Sequence, residues 1–136
     1  MSVLPAQEAL VQLMITSCVA DRSMTHVEMR TIETLVDQLP VFAGFDESRL
    51  PDIAEEVGHF LERTEGLDEL LAVLKSSLPT KLYETAYALA VEVVAADVVA
   101  VQEELRFLEM LRDALDLDPL VTAAIERSAR VRYRRL

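Results

Sequence analysis

Residues 15 to 39 (ITSCVADRSMTHVEMRTIETLVDQL) align without a gap on residues 91 to 115 (VEVVAADVVAVQEELRFLEMLRDAL), a shift of 91 − 15 = 76 positions. A duplicated segment constrains the fold strongly, because each copy carries an apolar face that the same fold must bury. Ala20 meets Ala96, Asp21 meets Asp97, Glu28 meets Glu104, Arg30 meets Arg106 and Glu33 meets Glu109; Leu35, Asp37 and Leu39 meet Leu111, Asp113 and Leu115. Apolar coincidences follow from any two amphipathic helices. The recurrence of Asp, six residues, Glu does not, so Asp21, Glu28, Asp97 and Glu104 are the candidate functional residues.

Everything else in the chain points to helices. Three Gly and five Pro interrupt 136 residues that are 51% hydrophobic, too few for the turn-dense pattern of sandwiches and barrels. The expected architecture is all-α, one domain over residues 1–136, a compact bundle of about seven helices with an internal pseudo-two-fold duplication of a helical hairpin. A first helix starts near Pro5 and ends near Asp21. Thr25 followed by Glu28 forms a capping-box signature for a second, from His26 to Leu39, where Pro40 stops it. A third is capped by Asp46 or Ser48, holds Pro51 in its first turn and runs to about Arg63; Gly66 then separates off a short fourth. Pro79 or Thr80 opens the fifth, whose apolar face from Leu82 to Ala96 marks it as the core helix. A sixth covers Val101 to Leu115, and Asp118 with Pro119 starts a seventh that runs into the terminal arginines.

The longest apolar run, Ala86 to Val101, is broken by Glu92 and Asp97 and is too short to span a bilayer. No signal peptide is read at the start, so a cytoplasmic location is expected, with peripheral contact at the inner membrane as the variant. The lone Cys18 lies on an apolar helix and is expected to be a buried thiol. Net charge is −11, yet Arg127, Arg130, Arg132, Arg134 and Arg135 place five positive charges in the last ten residues, leaving −11 − 5 = −16 on the remainder. Such a body repels nucleic acid and attracts cations or basic partners. The arginines either complement the dipole of the last helix or meet anionic lipid or an acidic partner surface.

Asp21 and Asp97 fall where a helix is ending, next to the negative end of its dipole, and each Glu falls in the first turn of the helix that follows. The bland account is helix-end electrostatics. The functional account brings both pairs together on one hard cation, calcium or magnesium, bound by oxygen ligands. Glu28 is explained by its capping box, whereas Val101 stands in place of Thr25 in the second copy and leaves Glu104 without that reason. Catalytic signals are weak. Glu56 and His59 have the Glu-x-x-His spacing of di-iron bundles but occur once where such bundles need it twice, and His26 reads as a solvent-facing residue.

Four segments, LMITSCVADRSMTHVEMRTI, LPVFAGFDESRL, LPTKLYETAYALAVEVVAADVVAVQEELRFLEML and LDLDPLVTAAIERSARVRYR, resemble in that order the TerB family of bacterial tellurite-resistance and stress-response proteins. The resemblance implies a duplicated helical fold without known catalytic activity. It also implies cytoplasmic action beside membrane-bound tellurite-resistance partners, and an acidic patch that binds divalent metal through Asp21 with Glu28 and Asp97 with Glu104. Many members follow each aspartate with glycine; here Arg22 and Val98 stand there. The function expected is therefore a non-enzymatic stress-response protein offering an acidic, cation-binding surface to protein partners. The alternatives are a carboxylate-metal enzyme and a purely structural interaction module.

Overall fold

A computed structural model describes residues 4–19, 24–63, 65–96 and 102–136. Asp21, Arg22, Asp97 and Val98 lie outside the described residues. Those described form seven α-helices and no strand: α1 Ala6–Cys18, α2 His26–Gln38, α3 Leu50–Leu61, α4 Gly66–Ser77, α5 Tyr83–Ala96, α6 Gln102–Leu115 and α7 Pro119–Arg132. Short 3-10 turns at Glu47–Arg49 and Thr80–Leu82 lead into α3 and α5, which is why those two helices begin a few residues later than their capping signals suggest.

The caps act as the local chemistry requires. The Thr25 hydroxyl accepts from Glu28 N at 3.1 Å and Glu28 Oε1 accepts from Thr25 N at 2.9 Å, the reciprocal box that satisfies two otherwise orphaned amides. Asp118 accepts from Leu120 N at 2.8 Å, with Pro119 opening α7. Asp46 caps the turn before α3 through Ser48 N, and the bonds from Ser48 side chain and backbone hold its carboxyl below the usual range. Asp116 takes the left-handed conformation, φ 51°, just past α6. Leu117 N then returns to Arg112 O, closing the helix in a Schellman-type stop.

Two helices form the centre. α1 packs on α5, α3 on the other side of α1, and α7 on α5; α2 and α6 also lean on both central helices, and α4 closes over α1, α3 and α6. The expected core helix, α5, is central, but α1 is the more completely enclosed. All residues from Glu8 to Cys18 are buried. The polar Glu8, Gln12 and Thr16 are covered along with the apolar residues. Thr16 Oγ1 donates to Gln12 O and Ser17 Oγ to Met14 O, so these hydroxyls are satisfied within the helix itself. Glu8 receives two bonds from the Arg49 guanidinium, at 3.2 and 3.3 Å, and Gln7 Nε2 donates to Val41 O and Ala43 O beyond α2.

Gly66 proves to be more than a separator. It opens α4, and a Cβ there would lie 2.0 Å from Phe60 O, a backbone atom that cannot swing away. Gly58, in α3, has nothing within 4 Å of a Cβ. Alanine at the two positions should therefore have opposite effects. Gly58→Ala should raise stability by about 0.5–1 kcal/mol through helix propensity, and Gly66→Ala should lower it by about 1–3 kcal/mol through the clash. Urea unfolding of the two variants checks this, and a neutral Gly66→Ala would contradict the α3–α4 approach.

Candidate functional site

The two repeated glutamates occupy equivalent places. Glu28 is the third residue of α2 and Glu104 the third of α6, and the two helices start 102 − 26 = 76 residues apart, the spacing of the repeat. Glutamate in a first helical turn is commonplace and favourable, but it is normally solvated. Here Glu28 is 1% exposed and Glu104 is 2% exposed. The duplicated Glu is thus a duplicated buried carboxyl.

The capping box accounts for half of Glu28. Its Oε1 accepts from Thr25 N, while the buried Oε2 has no hydrogen-bond partner among the described residues. Leaving a buried acceptor unsatisfied costs about 1–3 kcal/mol, more when the group is charged. A stable protein is expected to compensate such an atom. The donor chemistry is hard oxygen, which suits calcium or magnesium better than a thiolate-seeking metal. Among the described residues no three His, Cys, Asp or Glu side chains gather as a ligand set. The aspartates needed to complete one, Asp21 and Asp97, lie outside the described residues.

The other candidates resolve simply. His59 is exposed on α3 between Glu55 and Glu62, 3.6 and 3.9 Å away, and Glu56 turns to Arg49; the Glu-x-x-His spacing builds no joint site. His26 is exposed at the start of α2, and Cys18 is a buried thiol that donates to Met14 O.

The terminal arginines divide into separate roles. Arg132 pairs with Glu92 of α5 at 2.7 Å, and the Tyr133 hydroxyl donates to the same carboxylate. Burial alone would raise the Glu92 carboxyl, but the bonds from Arg132 and Tyr133 outweigh it and the net shift is downward. Burial, and then the bond to Glu92, pushes the Tyr133 hydroxyl up to about 12. One turn of α5 earlier, the buried Tyr87 hydroxyl donates to Glu126 Oε2 of α7 at 2.5 Å, and Arg112 of α6 reaches the same oxygen at 3.4 Å. Burial, then Glu126, lifts Tyr87 well above the ordinary phenol range. These two clusters pin α7 to α5 and flank a cleft of about 500 Å³ walled by Val91, Val94, Leu105 and Leu108. Sequence reading did not find either cluster. The available signal was Glu92 itself, an acid inside the longest apolar run that calls for a partner.

Because the folded Glu92 carboxyl is lowered from 4.5, its contribution is complete above the unfolded value and disappears as pH falls through the folded one. With Arg132 half exposed, the pair is worth about 1 kcal/mol. Glu92→Gln should therefore be less stable than wild type by about that amount at neutral pH, and the gap should close as pH falls below the ordinary carboxylate range. Denaturant titration at a series of pH values measures it; a gap that persists undiminished into strong acid would contradict the pairing.

No protein-family model, no curated protein sequence and no solved structure matches this chain.

Proposed function

We propose that this is a non-enzymatic, TerB-like helical protein whose acidic, cation-linked surface serves protein partners near the membrane. In this reading the α1–α2 and α5–α6 hairpins are related by a pseudo-two-fold axis, and Asp21, Glu28, Asp97 and Glu104 converge on one divalent cation, calcium or magnesium. The carrying observation is the pair of buried glutamates at the same helical position, one of them with a carboxylate oxygen that has no hydrogen-bond partner among the described residues. The stress and tellurite setting, and cytoplasmic action, rest on the resemblance of the four sequence segments. No helix among the described residues is long and apolar enough to cross a membrane, which accords with a peripheral role.

Cation binding to the native state alone raises stability by mass action, about 2.7 kcal/mol at a hundredfold excess over Kd. Calcium or magnesium should raise the melting temperature of the wild type, and Glu28→Gln with Glu104→Gln should abolish the rise. Glutamine keeps the capping box of α2, because its amide oxygen still accepts from Thr25 N, while removing the charge that attracts the metal. Thr25→Ala does the reverse: it should lower stability by about 1 kcal/mol and leave the response to cation intact. Identical responses in wild type and the double glutamine variant would refute the site. Metal-dependent turnover of a substrate would instead favour the carboxylate-metal enzyme.

A further inference from the structure

The outward face of α7 carries a stripe that the fold leaves unused. Thr122, Ala129 and the half-buried Ile125 and Glu126 face inward. Leu120, Ala124, Arg127 and Val131 recur at helical spacing on the opposite side, all exposed, and Arg134 and Arg135 follow the helix end. Leu120 is 80% exposed and Val131 50%. Arg127, Arg134 and Arg135 form no ion pair among the described residues. Arg132 is committed to Glu92, and Arg130 lines the cleft. The available basic set is therefore three arginines interleaved with two large aliphatic side chains, the mixture that lets a helix lie on a lipid headgroup layer.

A body charge of −16 would seem to forbid such an approach. The layering reduces the difficulty. Residues 46 to 69, which form α3 and the start of α4, hold nine acids against two bases, 2 − 9 = −7. α3 packs on α1 and α4, whereas α7 packs on α5. From α3 the path through α1 and α5 to α7 takes three helix-to-helix steps of roughly 8–10 Å, and from α4 through α6, whose Arg112 meets Glu126 of α7, it takes two. Even a bent path exceeds the Debye length of about 8 Å at physiological ionic strength. The acidic layer of residues 46 to 69 holds seven of the sixteen excess negative charges and lies away from the face that α7 presents.

We propose that the outer face of α7 is a docking surface for anionic lipid bilayers, through Arg127, Arg134 and Arg135 with Leu120 and Val131 as shallow apolar contacts. The surface acts independently of the cation site. The test is sedimentation of the full chain with vesicles of phosphatidylcholine carrying about one third phosphatidylglycerol, against pure phosphatidylcholine, in chelator and at about 0.1 M salt. Wild type should bind the anionic vesicles only. The triple change Arg127→Gln, Arg134→Gln, Arg135→Gln should weaken binding roughly 100-fold, from about 1 kcal/mol per arginine. Leu120→Ser with Val131→Ser should also weaken it without altering charge, and Glu28→Gln with Glu104→Gln should bind like wild type. All are surface or isosteric changes, and circular dichroism confirms that each variant is folded. Absence of wild-type binding, full binding by the triple variant, or loss of binding in the glutamate variant would overturn the proposal. So would lipid-independent self-association abolished by the same three arginine changes, which would make the occupant a second copy of this chain.

Discussion

Eleven consecutive residues of α1, Glu8 to Cys18, are withdrawn from solvent, and a helix enclosed on all sides must hand each polar group to a neighbour or to itself. The rest of the architecture follows from how it does so. Arg49 is held at the start of α3 by Glu8, which fixes where α3 crosses α1. Gln7 takes the carbonyls of Val41 and Ala43 and so positions the connection after α2. Hydroxyls at Thr16 and Ser17 close on their own backbone, so the end of α1 can stay buried against α5. Each fully buried Leu, Ile or Met of this helix contributes about 1.5–3 kcal/mol, and these polar closures allow that burial to be collected without a desolvation penalty.

With α1 and α5 as the paired centre, the remaining helices sort by charge. α2 and α6 lean on that centre through first turns that carry Glu28 and Glu104 inward, where a carboxylate needs a partner. α7 is fastened to α5 at two heights, by Tyr87 and Arg112 on Glu126 and by Arg132 and Tyr133 on Glu92. Those clusters use one of the five terminal arginines and leave the outward ones to solvent. The acids of α3 lie beyond α1, away from this basic side. The acids of α3 and the basic stripe of α7 thus coexist in one small domain, with α1 and α5 between the two helices.

Periodicity and caps were enough to read most elements. Thr25 with Glu28 and Asp118 with Pro119 announce α2 and α7 at the residues where they begin, and the repeat places α2 and α6 at the same spacing. What stayed hidden depends on distant residues. Enclosure of Glu8, Gln12 and Thr16 comes from helices far along the chain, so nothing local to α1 announces it. Glu92 and Arg132 are forty positions apart, beyond any local pattern, and the terminal arginines therefore look alike although Arg132 is structural. The candidate site was legible as residue types and spacing. Burial of Glu28 and Glu104 was not, because a first-turn glutamate is ordinarily exposed and only tertiary packing takes it inside.

The central claim is that the orphaned Glu28 oxygen belongs to a cation site shared by the two copies of the repeat. Anomalous diffraction from crystals grown with manganese, an oxygen-seeking stand-in for calcium or magnesium, tests it most directly. The account predicts one strong peak at coordination distance, roughly 2.0–2.6 Å, from carboxylate oxygens of both Glu28 and Glu104. A Glu28 Oε2 bonded to water or backbone with no metal peak beside it, or metal bound only on the exposed acids of α3, would contradict it.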